Sequence, residues 1–547
     1  MLAYGSSRRN HTKVDVGDDR LKHRASLQAG MVLYRPRRGA ASSVAGGPTP
    51  YTRGSVGSSR RWLIAAVAIV GVITRVWLLA TPAGLLNSDE AVTGLGAIEA
   101  LHGRFDVVVP GNAYTATLES FLFAPFAAVF GGRILLLKLM GTVLWAVGCL
   151  LVYRLIRRSV SELAGLLAAS VAWLVPGAFL ELSTRAYLAY PGGFVLAAGA
   201  LATLMALAAS AVPSRRSSMM AGLLCGLAVY AHPMYLAVLV PAVIVVGVHH
   251  AGRWRDWWLP CGIVAFVVNL PFLVWNVRHG NPSLRDDLAD ESRGTYLTRL
   301  GRFFSGLIPR DFGLRDYPGT RWTFGRLTSS LVAAALIAAM VYGGIRLFRA
   351  GRAGRLLAIT AVAVWPLMAV FSALGFVLDG RYGVVPAVPM FACLGVAAEA
   401  AVLRIGRIRA GSTPTFGAAC VIGLWLVGLV GPSMWRITGV TWGNGNADYG
   451  AVVDRLDRAG IAHVAGNYWA VLPITYVTNG RIPSAVSAPD PIRYPLYQRA
   501  TQAMPPNKVG FVFRNWNENP AVLYLKPDCY DREAVGQLVL YLPKAVC

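Results

Sequence analysis

Two adjacent acids, Asp89 and Glu90, form the most distinctive candidate site in the sequence. They lie in the segment Leu85-Leu-Asn-Ser-Asp-Glu-Ala91, a polar break after a long apolar stretch. A carboxylate beside a membrane surface can accept the proton of an attacking hydroxyl group, or hold a divalent cation that bridges to phosphate. A structural interpretation is also open, in which Ser88 or Asp89 caps a helix that runs through Ala91–Leu101.

Two further glutamates are candidates for a second acid or an acceptor-binding group. Glu119 begins an apolar stretch, where a carboxyl group is costly unless it is paired or hydrated. The alternative is a surface glutamate at the end of an interfacial helix. Glu181 precedes Arg185 by four residues, a spacing that also fits a local ion pair on one helix face.

Basic residues at the ends of apolar stretches are candidates for phosphate binding. Arg381 and Tyr382 could hold a phosphate through bidentate hydrogen bonds and a hydroxyl donor, or could anchor a helix at the membrane interface. Arg75 lies late in the first apolar stretch. It could extend to lipid headgroups, or pair with Asp89, Glu90 or a lipid phosphate.

The composition places all these residues in a membrane protein. The chain has 547 residues, 55% hydrophobic and only 14% charged, with a mean hydropathy of +0.50. A soluble protein of this size needs more charge to cover its surface. The formal net charge of +25 suggests nucleic acid as a partner, but arginines clustered between apolar blocks fit the positive-inside rule better. We therefore expect no nucleic-acid partner.

The apolar blocks predict about eleven transmembrane helices in one consistent threading. A span needs roughly 20 apolar residues to cross about 30 Å of hydrocarbon. The predicted spans are 62–80, 134–153, 162–179, 194–211, 218–231, 234–248, 257–275, 329–345, 356–378, 383–402 and 415–433. The stretch Phe121–Phe130 is too short to cross and is predicted to be interfacial or re-entrant.

The distribution of positive charge predicts the orientation. Twelve Lys or Arg residues precede Trp62, so the N-terminus should stay inside the cell. The other arginine clusters then fall on the inner side, and an odd number of spans puts the C-terminus outside. We expect an integral protein of the inner or plasma membrane, with Asp89 and Glu90 on the outer face.

Three regions follow from this threading. Residues 1–61 are predicted to be a disordered basic cytoplasmic tail, and residues 62–437 the transmembrane domain. Residues 438–547 are less apolar and predict a small extracytoplasmic α/β domain. Cys529 and Cys547 in it could form a disulfide in an oxidising compartment.

The ordered set of motifs resembles the GT-C superfamily of membrane glycosyltransferases. Its similarity is greatest to bacterial members akin to protein O-mannosyltransferases and the lipid A aminoarabinose transferase. The motifs are Arg75, then Asp89-Glu90, then Leu118-Glu119 leading through Ala124-Pro125 to Phe130-Gly131, followed by Lys138, Tyr190-Pro191, and Arg381-Tyr382 with Pro386 and Pro389. The resemblance covers roughly residues 62–400.

The resemblance implies an inverting transferase that uses a polyprenyl-phosphate sugar. Asp89 would be the catalytic carboxylate with Glu90 assisting, while Arg381 and Tyr382 would meet the donor phosphate with Arg75 or Lys138. The acceptor would be a glycan, lipid or protein of the cell envelope. A Mg²⁺ or Mn²⁺ ion on Asp89 is a further expectation, although Tyr190-Pro191-Gly192-Gly193 stands where relatives often carry a second aspartate.

A transporter or lipid flippase is the main alternative. Such proteins often show inverted repeats and ionisable residues at the bilayer midplane. The sequence shows no internal repeat, and most of its acids fall in predicted outer loops.

Overall fold

The computed structural model describes residues 53–187, 189–284, 294–316, 321–375, 380–408, 413–439, 447–487, 490–519 and 527–544. Residues from Gly57 to the C-terminus form one compact unit. Of the unit Met1–Val56, only residues 53–56 are described, so most of the predicted disordered tail lies outside the described residues. The first helix begins at Arg53, before the predicted start at Trp62.

Helices make up most of the described chain. In chain order they are α1 (Arg53–Leu79), α2 (Ser88–Leu101), α3 (Leu118–Phe130), α4 (Ile134–Ser159), α5 (Glu162–Trp173), α6 (Gly177–Leu182), α7 (Tyr190–Ala209), α8 (Arg215–Ala231), α9 (Leu236–His249), α10 (Trp254–Arg278), α11 (Tyr296–Arg302), α12 (Ile308–Asp311), α13 (Arg326–Arg349), α14 (Arg352–Val370), α15 (Ala387–Ile408), α16 (Pro414–Trp425), α17 (Gly431–Thr438), α18 (Ala447–Arg458), α19 (Tyr468–Val477) and α20 (Pro495–Gln502).

The predicted spans each coincide with a helix. Within the described chain, eight helical segments are long and apolar enough to cross a membrane, which makes this an integral membrane protein. They are α1, α4, α7, α10, α13, α14, α15 and the continuous segment Pro414–Thr438. The other three predicted spans correspond to the shorter helices α5, α8 and α9.

Proline shapes two of the shorter elements. Helix α5 ends at Trp173 rather than at residue 179, because the residue before a proline, here Pro176, disfavours helical geometry. The predicted hairpin turn at His232-Pro233 is confirmed, since α8 ends at Ala231 and a 3₁₀ turn begins at Pro233. The predicted short helix near Phe121–Phe130 is α3, and its 13 residues span only about 20 Å.

The C-terminal region contains one mixed sheet. Its strands are β1 (His463–Gly466), β2 (Ser484–Val486), β3 (Val509–Arg514), β4 (Tyr530–Val535) and β5 (Leu538–Pro543), in the order β2-β1-β3-β5-β4. Strand β1 pairs in parallel with β2 and β3, whereas β5 pairs antiparallel with β3 and β4. The predicted small α/β fold is confirmed for this region.

Some details of the C-terminal prediction differ. The predicted strands at 463–465 and 508–513 match β1 and β3, but the one predicted at Ala521–Leu525 lies outside the described residues. Cys529 is disulfide-bonded, as the sequence suggested, while Cys547 lies outside the described residues.

The C-terminal region packs directly onto α2. Gly94 lies under the ring of Tyr476, where an added Cβ would come within 2.3 Å of Cε2. Two tyrosine hydroxyl groups donate to the backbone near α2: Tyr449 to Leu86 O at 2.9 Å and Tyr494 to Val92 O at 2.8 Å. The segment that carries Asp89 is therefore enclosed by residues from the far end of the chain.

Candidate functional site

The start of α2 fixes the position of Asp89. Asn87 caps the helix, since its side chain accepts from Glu90 N at 2.9 Å and its backbone N–H donates to Glu90 Oε2 at 3.3 Å. The predicted caps, Ser88 and Asp89, lie instead in the first turn. A carboxylate there is stabilised by the positive end of the helix dipole.

Asp89 is buried and contacts two side chains from distant parts of the chain. Its Oδ1 accepts a 2.6 Å hydrogen bond from the Tyr468 hydroxyl group. Its Oδ2 lies 4.0 Å from Arg381 Nη1. Burial, together with the charge of Asp89, raises the pKa of Tyr468 well above its usual range, so this hydroxyl stays a donor at neutral pH.

A second arginine approaches the same carboxylate through Tyr468. Arg493 Nε donates to the Tyr468 hydroxyl at 3.4 Å, and its guanidinium lies 5.8 Å from the centre of the Tyr468 ring. Asp89 therefore lies in a positively charged setting, with Arg381 on one oxygen and Tyr468 backed by Arg493 on the other.

Arg381 also lines a cavity rich in arginine, which we call the arginine-lined cavity. Its volume is about 260 Å³, and Arg185, Arg310, Arg381 and Arg514 all contribute to its wall, with Glu181 as the acid among its described lining residues. Such an excess of guanidinium groups favours an anionic ligand, because these groups bind phosphate oxygens in bidentate fashion.

Glu181 is tied to two of these arginines. Its Oε1 accepts from Arg310 Nη2 at 2.9 Å, and its Oε2 lies 3.8 Å from Arg185 Nη2. Burial opposes ionisation of the carboxyl group, but the two guanidinium groups outweigh it and lower the pKa of Glu181. Glu181 orders the cavity wall, and its role as second acid or acceptor-binding group stays a prediction.

Arg514 is held at the cavity by neutral groups. It donates from Nε to Trp469 O and from Nη2 to Leu86 O and the Tyr449 hydroxyl, each at 3.0 Å. Because its partners are uncharged, Arg514 adds a full positive charge to the cavity.

Glu90 and Lys138 contact each other. Lys138 Nζ donates to Glu90 Oε2 at 2.7 Å, and both side chains are almost fully buried. This ion pair joins α2 to α4. The ion pair thus has a structural role. The assisting role predicted for Glu90 and the phosphate-binding role predicted for Lys138 stay predictions.

Arg75 lies on a tryptophan within the helix bundle. Its guanidinium is 3.8 Å from the centre of the Trp173 ring, and Nη1 donates to Gly71 O at 2.8 Å and Trp173 O at 3.0 Å. These contacts hold Arg75 on α5, and its part in donor binding stays a prediction.

Glu119 and Tyr382 support the backbone around α7. Glu119 is buried, and its Oε1 accepts from Gly192 N at 2.8 Å. Tyr382 is buried and packs edge-on against Tyr190, with ring centroids 6.4 Å apart. The structure thus places both residues beside the Tyr190-Pro191-Gly192-Gly193 motif, and their predicted functional roles stay predictions.

Several site residues could not be identified from the sequence by spacing. Tyr468 bonds to Asp89 across 379 positions and Arg514 bonds to Leu86 across 428, while Arg493 joins the site through Tyr468. Arg310 lies in the short helix α12, between the predicted spans 257–275 and 329–345, in a segment whose sequence carried no distinctive signal.

The surroundings of Asp89 do not fit a divalent cation. Mg²⁺ or Mn²⁺ needs several oxygen ligands, usually including more than one acid. Arg381 and Arg493 repel a cation here, and the neighbouring acid Glu90 is engaged by Lys138. Within the described ranges, no group of three or more His, Cys, Asp or Glu could hold a metal ion.

Comparisons with known proteins identify the fold. No family model matches the sequence, and no curated protein matches it. The chain is similar to the crystal structure of ArnT from Cupriavidus metallidurans in the apo state. The sequence identity is 13% and the TM-score 0.56, over 89% of this chain and 98% of that chain. The chain has the fold of ArnT.

A second structure, ArnT from Cupriavidus metallidurans bound to undecaprenyl phosphate, is similar at 14% identity with a TM-score of 0.52. It covers 88% of this chain and 98% of that chain. The predicted resemblance to the GT-C superfamily is thus confirmed for the fold. At this identity the likeness to ArnT carries no assignment of donor, acceptor or catalytic residues.

Proposed function

We propose that the protein is an inverting glycosyltransferase of the bacterial cell envelope. It moves a sugar from a polyprenyl-phosphate donor to a glycan, lipid or protein acceptor at the outer face of the membrane. The observation that carries this proposal is the buried Asp89 carboxylate, held by Tyr468, with its Oδ2 4.0 Å from an arginine of the arginine-lined cavity.

The proposed reaction is a single displacement. The acceptor oxygen forms a bond to the anomeric carbon as the bond from that carbon to the phosphate oxygen breaks. Asp89 takes the proton of the acceptor hydroxyl. We assign it to Oδ2, because a 4.0 Å separation from Arg381 is too long for a hydrogen bond.

The arginine-lined cavity stabilises the leaving group. As the bond to carbon breaks, negative charge grows on the polyprenyl phosphate, and fixed guanidinium groups stabilise that charge without having to reorganise. Arg381 is positioned both to hold this phosphate and to keep it beside Asp89.

The donor class rests on two supports. The cavity has an excess of positive charge that suits a phosphate, and a protein with the same fold has been crystallised with undecaprenyl phosphate. The lipid tail would remain among membrane lipids while the phosphate enters the cavity.

The arginine clusters support the proposed orientation. Helix α4 ends with Arg157 and Arg158, and α13 ends with Arg346 and Arg349. With these ends on the inner side, the N-terminus is cytoplasmic, and Asp89 and the C-terminal region face outward. The chain would then be a protein of the inner or plasma membrane.

The test is transfer from a labelled polyprenyl-phosphate sugar by the full-length protein in liposomes, supplied with an envelope extract as acceptor. Asp89→Asn should lower the rate by about 10²–10⁴-fold, since it removes the general base. Asp256→Asn is the matched control, because Asp256 is also a first-turn aspartate but is exposed on α10.

The same assay separates the proposal from its alternative. Transfer that depends on Asp89 supports the enzyme. Full activity of Asp89→Asn refutes the proposed base, and movement of the lipid across the bilayer without sugar transfer supports a flippase.

A further inference from the structure

A second cavity reaches Asp89 through Arg493. It has a volume of about 1010 Å³, at the upper end of the ~300–1,000 Å³ typical of small-molecule sites. One wall is the loop after α2, and the other is the segment that leads into α20. Arg493 lines this cavity and also contacts Tyr468, which holds Asp89.

Five aromatic side chains contribute to the wall, and we call this space the aromatic cavity. The rings are those of Phe105, Tyr114, Trp275, Tyr494 and Tyr497. Phe105 is 69% exposed, so its ring is accessible to a ligand in the cavity. Aromatic faces pack against the C–H faces of sugar rings, while the edges of those sugars remain free for hydrogen bonds.

Carboxylates lie between these rings. Glu99 accepts from the Tyr497 hydroxyl at 2.7 Å and pairs with Arg104. Asp106 also lines the cavity. Ionised carboxylates are strong acceptors for the hydroxyl groups of a sugar. Burying these acids under a lipid chain would be costly, so the lining fits a polyol better than an acyl tail.

The charge balance differs from that of the arginine-lined cavity. Glu99 and Asp106 face Arg104, Arg493 and Arg499, so positive and negative groups nearly cancel. A nearly neutral lining suits an uncharged sugar, whereas the arginine-lined cavity suits a phosphate.

A row of rings connects the two cavities. Tyr114 of the aromatic cavity lies 5.2 Å from His232, His232 lies 6.2 Å from Tyr190, and Tyr190 lies 5.3 Å from Tyr187 of the arginine-lined cavity, centroid to centroid. Arg381 lies over Tyr187 at 5.6 Å. A continuous row of rings therefore leads from the aromatic cavity to Tyr187, over which the Asp89 partner Arg381 lies.

From these observations we propose that the aromatic cavity binds a sugar residue of the acceptor, which makes the acceptor a glycan. This assignment rests on the proposed function, because the glycan bound in the aromatic cavity would supply the hydroxyl group that Asp89 deprotonates. Phe105, Glu99 and Tyr497 are the residues assigned to recognition.

The test measures binding of oligosaccharides without any donor. Full-length protein in nanodiscs is titrated by saturation-transfer NMR with synthetic oligosaccharides of mannose, arabinose, galactose or glucose, one at a time. We expect at least one series to bind, and Phe105→Ala and Glu99→Gln each to weaken that binding roughly tenfold or more. Phe266→Ala is the matched control, since Phe266 on α10 is 58% exposed and lies outside the aromatic cavity.

Three results would overturn the assignment. Failure of all four series to bind would remove the glycan class. Binding that is as strong in both cavity variants as in the unchanged protein would place the sugar elsewhere. An acceptor peptide whose binding is lost in those variants would make the cavity a peptide site. Because binding is measured without donor, the two proposals can fail separately. A protein that binds a glycan in this cavity but transfers no sugar in the labelled-donor assay would refute the proposed function and leave glycan binding in this cavity standing.

Discussion

The buried ion pair between Glu90 and Lys138 allows a quantitative prediction. Their charged atoms are 2.7 Å apart, and the side chains are only 0% and 2% exposed. Two charges at this burial are stable only because each neutralises the other. We expect the pair to hold α2 against α4, and thereby to fix Asp89, which is next to Glu90 in the chain.

The magnitude follows from this burial. Lys138→Met or Glu90→Gln alone leaves an uncompensated partner, which should cost about 3–5 kcal/mol of folding free energy. Glu90→Gln should keep the capping box with Asn87, because a glutamine amide oxygen can accept the same backbone hydrogen bond. The double variant leaves neither member of this pair charged, so it should be much more stable than the sum of the two single losses predicts.

The assay is thermal unfolding of the four proteins in one detergent, followed by tryptophan fluorescence. The control is Lys544→Met, because Lys544 is 42% exposed and lies 3.8 Å from Asp531, a surface pair worth about 0–1 kcal/mol. If the stability losses of the two single variants simply add in the double variant, the proposed pairing is contradicted. It is also contradicted if Lys138→Met is as stable as Lys544→Met.

Three other predictions concern the site. A Cβ at Gly383 would lie 1.8 Å from Asp311 Oδ2, so Gly383→Ala should shift the neighbouring Arg381 and reduce the rate of sugar transfer. Gly423→Ala is the control, because a Cβ at Gly423 would lie in open space. Equal transfer rates in the two variants would refute this prediction. Transfer should survive treatment with EDTA, and its loss with recovery on adding Mg²⁺ would show a metal site after all. The pKa of Glu181 is lower in the folded protein than its unfolded value of 4.5. Ionised Glu181 therefore adds stability that is fully present above pH 4.5 and is lost as the pH falls through the folded-state pKa. Glu181→Gln should therefore lower the Tm at pH 7 but not at the most acidic pH, and a constant difference would refute the pairing with Arg310.

The spans were predictable because each is a contiguous block whose apolar residues alone exclude it from water. The helix cap was also readable: Asn87 and Glu90 have capping-box spacing, although Ser88 or Asp89 was predicted instead. That misassignment did not affect the position of the acid pair, because a one-residue change in cap leaves Asp89 in the first turn.

The contacts that complete the site were not predictable, because they join segments far apart in the chain. The Tyr468 hydrogen bond to Asp89 spans 379 positions, and the Lys138 bond to Glu90 spans 48. Neither partner has a periodic or local signal that names the other. Only the fold, which lays the C-terminal region on α2, brings them together.

The most direct test of the central claim is a structure of the full-length protein in a nanodisc with bound polyprenyl phosphate. We expect the phosphate to lie in the arginine-lined cavity, within hydrogen-bonding distance of Arg381 and beside Asp89. A phosphate bound at a site remote from both residues would contradict it.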